Sequence, residues 1–214
     1  MKLSRHQMLS IFFKLFTLAI ATSLSACSTL SPTATPPPTF YVLDNPGRAQ
    51  KSTVSPPRVA GAPTLIITPP RAAAGFDSQR IIYLRESHKL EYFAQSEWVD
   101  PPARMLAPLL VDALANNAAF TAVVLAAGSS TGDLRLDTDI IRLQQDFRTQ
   151  PSQVRFTLRA TLVDDKTRRV LTWREFDSSV AALRDDPYGG VIAANMAVQH
   201  VLQALSTFLT EGQP

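Results

Sequence analysis

Cysteine is almost missing from this 214-residue chain. Cys27 stands alone, which excludes an intramolecular disulfide framework and any zinc or iron–sulfur centre built on several thiolates. Histidine is nearly as scarce, with only His6, His88 and His200, none with a second His or Cys beside it in sequence. The reading of His88 is a turn residue and of His200 a helix-face residue, not ligands or bases. Neither a G-x-x-x-x-G-K-[ST] loop nor a G-x-G-x-x-G turn occurs, so the chain does not read as an ATPase or a dinucleotide enzyme. No strand-to-helix nucleophile elbow is expected either, and a Ser/His/Asp triad has no local support. Long apolar runs are missing as well. After Lys14 the apolar stretch reaches only about ten residues, where a membrane-spanning helix needs about 20.

What the N-terminus does contain is an address. Lys2, Arg5 and Lys14 occur without an acid, followed by Leu15 to Ala21 and then Leu24-Ser25-Ala26-Cys27. A basic stretch, a short apolar stretch and small residues before a cut site make residues 1–26 a signal peptide. Leu-Ser-Ala-Cys resembles the bacterial lipobox, which implies cleavage before Cys27 and a diacylglyceryl thioether on its sulfur. Two or three acyl chains at about 0.8 kcal/mol per buried methylene make such an anchor effectively permanent. Ser28, in place of Asp, at the next position points to the outer membrane more than the inner. Residues 27–39 then form the lipidated Cys and its tether. Ser28 to Thr39 reads STLSPTATPPPT, a solvated stretch of roughly 35 Å at polyproline-like extension. The whole chain has a net charge of +3. Without Lys2, Arg5 and Lys14 it holds 18 Lys+Arg against 18 Asp+Glu, so basicity gives no reason to expect a nucleic-acid partner.

Residues 40–214 read as one α+β domain. Ten of the 16 prolines fall between Pro32 and Pro70, so strands there are short: Phe40–Leu43 and Thr64–Thr68, with a long loop over 45–63. Arg80–Arg85 and Lys89–Ala94 flank Glu86-Ser87-His88 as a hairpin, giving four strands before the first helix. Asp100-Pro101-Pro102 starts that helix. Leu106, Leu109, Leu110, Ala113 and Leu114 form its apolar stripe, and Asn116-Asn117 end it. Pro108 inside it predicts a bend or a later start. Phe120–Leu125 returns as a strand, and after the turn Gly128–Gly132 three long strands follow. Leu134, Leu136, Thr138 and Ile140, then Val154, Phe156, Leu158, Ala160 and Leu162, alternate with polar residues. A last strand covers Val170 to Val180. In the final helix Val191, Ile192, Asn195, Val198, Val201, Leu202, Leu205 and Leu209 make one stripe. The expected architecture is a largely antiparallel sheet with two helices packed on one face.

Acids at 133, 137 and 139 lack the glycine and the bidentate Glu of a calcium loop and read as a wet strand face. Glu175 and Asp177 read as cross-strand partners of Arg155 or Arg159. No metal or cofactor is expected beyond the lipid on Cys27. The most suggestive surface is Arg80, Tyr83, Arg85, Tyr92, Phe93 and Trp98, since Tyr, Trp and Arg are enriched where proteins meet.

Five blocks of the chain resemble one family. They are Phe40-Tyr41-Val42-Leu43, Gly75 to Tyr83, Leu90 to Ala94, Ser96 to Pro102, and Ala193-Ala194-Asn195-Met196-Ala197. They are similar to the ABC-type transport auxiliary lipoproteins, of the paraquat-inducible protein C type. The resemblance implies a non-enzymatic, periplasm-facing lipoprotein that serves an ABC permease and ATPase and an MCE-domain substrate-binding protein, moving lipids or other hydrophobic molecules between membranes. It supplies no catalytic residues. The alternatives are a periplasmic lipid carrier with its own pocket and a cell-envelope hydrolase; self-association is left open.

Overall fold

The longest alternating segments of the chain build the centre of the fold. In the computed structural model, residues 36–44, 61–115, 117, 119–126 and 130–211 are described, together with Leu9, Ser10 and Lys14, which are helical. Cys27 with its lipobox, the tether before Pro36 and the loop over 45–60 lie outside the described residues. The residues from Pro38 onward form one unit, which the following paragraphs concern.

Its elements are β1 (Thr39–Tyr41), β2 (Thr64–Ile67), β3 (Arg71–Ala72), β4 (Arg80–Glu86), β5 (Lys89–Trp98), α1 (Pro102–Ala115), β6 (Ala122–Leu125), β7 (Leu134–Asp146), β8 (Gln153–Asp164), β9 (Val170–Ala181) and α2 (Pro187–Glu211). β7, β8 and β9 form two long antiparallel ladders, and β4 and β5 a hairpin. Leu136, Thr138 and Ile140 of β7 and Val154, Phe156, Leu158, Ala160 and Leu162 of β8 are buried, as the alternation predicts. Across the other face the expected ion pairs form, Arg155 with Asp177 and Arg159 with Glu175, and a further one joins Arg71 to Asp139.

The short strands add a parallel half that periodicity does not announce. One edge of β7 receives β2, β3 and β4 in succession, all parallel to it. Pro69-Pro70 lack N–H groups, so the ladder stops after Thr68 and restarts at β3, a fifth strand before the first helix. β6 lies parallel outside β2, and β1 parallel outside β5. The sheet is therefore mixed, with nine strands, and the class is α+β.

Both helices pack on the sheet and touch each other. Leu106, Leu110 and Leu114 of α1, Leu205 of α2, and Leu65, Ile67, Leu136, Phe156 and Leu158 of the sheet are fully buried in one cluster. α1 does start at Pro102, but it runs through Pro108 without a later start. Pro108 and Arg104, whose carbonyl loses its helical donor to the proline, are both exposed, so the interruption falls outside the core. Asp100 pairs with Arg104 at 3.1 Å. α2 is capped by Asp186, whose Oδ1 accepts from Gly189 N at 2.6 Å, with Pro187 in the first turn.

The stripe of α2 is the expected one from Val198 to Leu209 and is turned in the first half of the helix. Ala193, Ala194 and Ala197 are buried with Val191, Val198, Val201, Leu202, Leu205 and Leu209, while Ile192 and Asn195 sit at the margin. The reason is close approach. A Cβ on Gly190 would lie 2.1 Å from Gln145 Oε1, so the helix meets the sheet through its small residues and turns Ile192 and Met196 outward.

Candidate docking surface

Two surfaces stand out, one from sequence and one found only in the fold. The first is the β4–β5 hairpin, closed by Ser87-His88 with His88 in the left-handed region at φ 67°. Neighbours along a strand project to opposite faces, which divides the candidate residues into two groups. On one face the Arg80 guanidinium lies 4.1 Å over the Tyr92 ring, and Tyr92 is 51% exposed. On the other, Tyr83 and Phe93 stack at 4.5 Å beside Phe147, and Arg85 donates to both oxygens of Glu91 at 3.1 and 2.9 Å and to Tyr83 Oη at 3.0 Å. The Arg85 bond holds the Glu91 carboxyl below the usual carboxylate range.

Trp98 belongs to neither group. It is 3% exposed and packs in the core, because the end of β5 is an interior strand, flanked by β1 on one side and Arg80 of β4 on the other. It offers no surface to a partner.

The second surface is a groove of ≈ 470 Å3 between β1 and the N-terminal half of α2. Phe40, Tyr41 and Val42 form one wall and Tyr188, Ile192 and Met196 the other. Phe40 is 55% exposed and Met196 45%. Asn195 closes its floor, donating to Val42 O at 3.1 Å and accepting from Asp44 N at 2.6 Å. In the sequence Phe40–Leu43 reads as a strand and both it and Met196 fall in blocks of the family resemblance, but no local signal brings together segments 151 residues apart.

Other chemistry resolves into structure. Asp133 accepts from Thr64 N and Lys166, Asp137 from Thr68 and Arg135, and Asp139 from Arg71. The Thr64 N–H, with Lys166, holds the Asp133 carboxyl below its usual range. Among the described residues no cluster of three or more His, Cys, Asp or Glu is placed to hold a metal. Ser178 Oγ lies 3.4 Å from His200 Nδ1, but the adjacent acid, Asp177, is turned to Arg155 and Thr157 on the other face of β9. The turn Gly128-Ser129-Ser130-Thr131-Gly132 has the letters of G-x-S-x-G. It joins strand β6 to strand β7, not a strand to a helix, so it lacks the context of a nucleophile elbow. Among the described residues no helix is long and apolar enough to cross a membrane.

A family model described as "ABC-type transport auxiliary lipoprotein component" matches residues 41–206, from β1 into the last turns of α2. Among solved structures, protein XCC0632 of Xanthomonas campestris is similar at 23% identity with a TM-score of 0.64, over 83% of this chain and 95% of that one. An uncharacterized protein is similar at 12% identity with a TM-score of 0.61, over 80% and 98%. At these identities the likeness shows the fold. No curated protein matches.

Proposed function

We propose, for a chain that belongs to the family of ABC-type transport auxiliary lipoprotein components, a non-enzymatic docking role. The protein is held by a lipid on Cys27 to the periplasmic face of the outer membrane. There it positions an MCE-domain substrate-binding protein that works with an ABC permease and ATPase to move hydrophobic molecules between the membranes. The observation that carries this reading is the family match, which spans the hairpin, all of the groove lining but Phe40, and nearly the whole described domain.

The hairpin is the favoured contact. Arg80 stacked on Tyr92, with Leu90 exposed alongside, presents an aromatic and guanidinium surface of the composition found at protein interfaces. The test is affinity capture of the MCE-domain protein by the full-length lipoprotein. Arg80→Ala and Tyr92→Ala are expected to weaken capture with the fold intact; undiminished capture by both refutes the hairpin as the contact.

The second reading, a lipid carrier, is favoured by the apolar groove along β1 and α2. A hydrolase has less support. The Ser178–His200 contact has no acid orienting the imidazole among the hydrogen bonds of the described residues.

A further inference from the structure

We propose that the groove between β1 and the N-terminal half of α2 receives a lipid acyl chain from the bilayer to which the tether holds the domain. The inference rests on the lipid-anchor reading of Cys27 and deepens the carrier reading with a site and a ligand class.

Three observations carry it. The first is the lining. Phe40, Val42, Tyr188, Ile192 and Met196 present aromatic, aliphatic and thioether surface; the polar lining is Asp44, Asn195 and Gln199, and neither Lys nor Arg lines the groove. Such a wall suits a hydrocarbon chain and leaves a charged headgroup outside. Met also adapts its shape to chains that differ in length or unsaturation.

The second is what the groove denies to a peptide. A strand adding to β1 needs free backbone groups along its outer edge. Pro36, Pro37 and Pro38 have no N–H to give, and Asn195 already takes Val42 O and Asp44 N. β1 itself is three residues long. The hairpin surface, built from Arg and Tyr, differs in kind and is the better match for a protein.

The third is where the tether ends. Ser28 to Thr39 spans roughly 35 Å at full polyproline extension. Its last residue adjoins Phe40, the first residue of the groove wall. The anchor therefore keeps this groove within a tether's length of the bilayer, at a high effective concentration of lipid.

The experiment uses the full-length lipoprotein in vesicles of phosphatidylethanolamine and phosphatidylglycerol that contain a phospholipid with a diazirine in mid acyl chain. After illumination, lipid adducts are expected on peptides covering residues 40–44 and 188–199. Met196→Asn changes an exposed side chain, and Ile192→Asn a half-buried one whose folding circular dichroism checks. Each is expected to cut adduct yield about fivefold or more while vesicle flotation stays unchanged. Adducts confined to residues 80–98, or groove adducts that both variants leave undiminished, overturn the proposal. So do protein–protein adducts through 188–199 in place of lipid adducts, which would mark a second copy or a partner segment as the occupant. A protein that fails to float with the vesicles refutes the anchor reading instead, whatever its adducts.

Discussion

Replacing Gly190 by Ala tests whether the close approach of α2 to β7 sets the exposure of the groove. Gly190 has no positive φ, so its need is spatial, not conformational. The added Cβ would meet Gln145 Oε1 at 2.1 Å and Cδ at 2.8 Å. Gln145 is buried, and its Nε2 is fixed by a 2.8 Å bond to Ser152 Oγ, so it has little room to retreat. Overpacking of this kind costs about 2–3 kcal/mol, from which about 1 kcal/mol is regained because Ala is the better helix former. The net loss of about 1–2 kcal/mol corresponds to a fall in melting temperature of about 2–8 °C for a domain of this size. Urea denaturation of Gly190→Ala, Gln145→Ala and the double variant measures it. The reasoning expects a coupling of about 1 kcal/mol or more, because truncating Gln145 clears the space that the Ala methyl needs. A Gly190→Ala variant that is as stable as the parent, or effects that simply add, would refute it.

Three further outcomes follow from the same geometry. Asn195→Ala removes the bonds to Val42 O and from Asp44 N; about 2 kcal/mol is expected, with faster amide exchange at Asp44. Trp98→Ala should cost about 3–5 kcal/mol, whereas Arg80→Ala, losing one exposed cation–π contact, should cost at most about 1 kcal/mol by the same denaturation measurement. Asp133, Asp146, Asp164, Asp185 and Glu91 all titrate below their ordinary values in the fold, through bonds from Thr64 N, Arg148, Thr167 N, Ser152 and Arg85 in turn. Depressed carboxylate values give stability that is present above the unfolded values near pH 4 and is lost as pH falls through the folded ones. Melting temperature should therefore be level from neutral pH down to about pH 5 and fall below about pH 4.

What could be read from the chain was whatever repeats at short range. The two-residue period of β7 and β8 and the stripe of α1 reappear as buried faces. The Asp-Pro pairs mark both helix starts. What escaped was set by distance. β3 has two residues and no period, and the parallel seating of β2, β3 and β4 on one edge of β7 depends on contacts some 60 to 70 residues apart. Trp98 read as a surface aromatic because nothing in its neighbourhood reveals that β1 covers β5. Ile192 read as part of the helix stripe because the rotation of α2 is decided by Gly190 against Gln145, a fit that no helical wheel contains.

The seating of β1 also decides how the domain answers to force. A pull applied at Pro38 reaches β1 first, where three residues lie parallel to β5 between Thr39↔Ser96 and Tyr41↔Trp98. Tension runs along the strand and shears that short ladder, and behind it stand the Asn195 bonds to Val42 and Asp44. A three-residue ladder thus stands at the entry point, ahead of the long β7–β8–β9 ladders. A load entering there falls on one wall of the groove before it reaches the core strands.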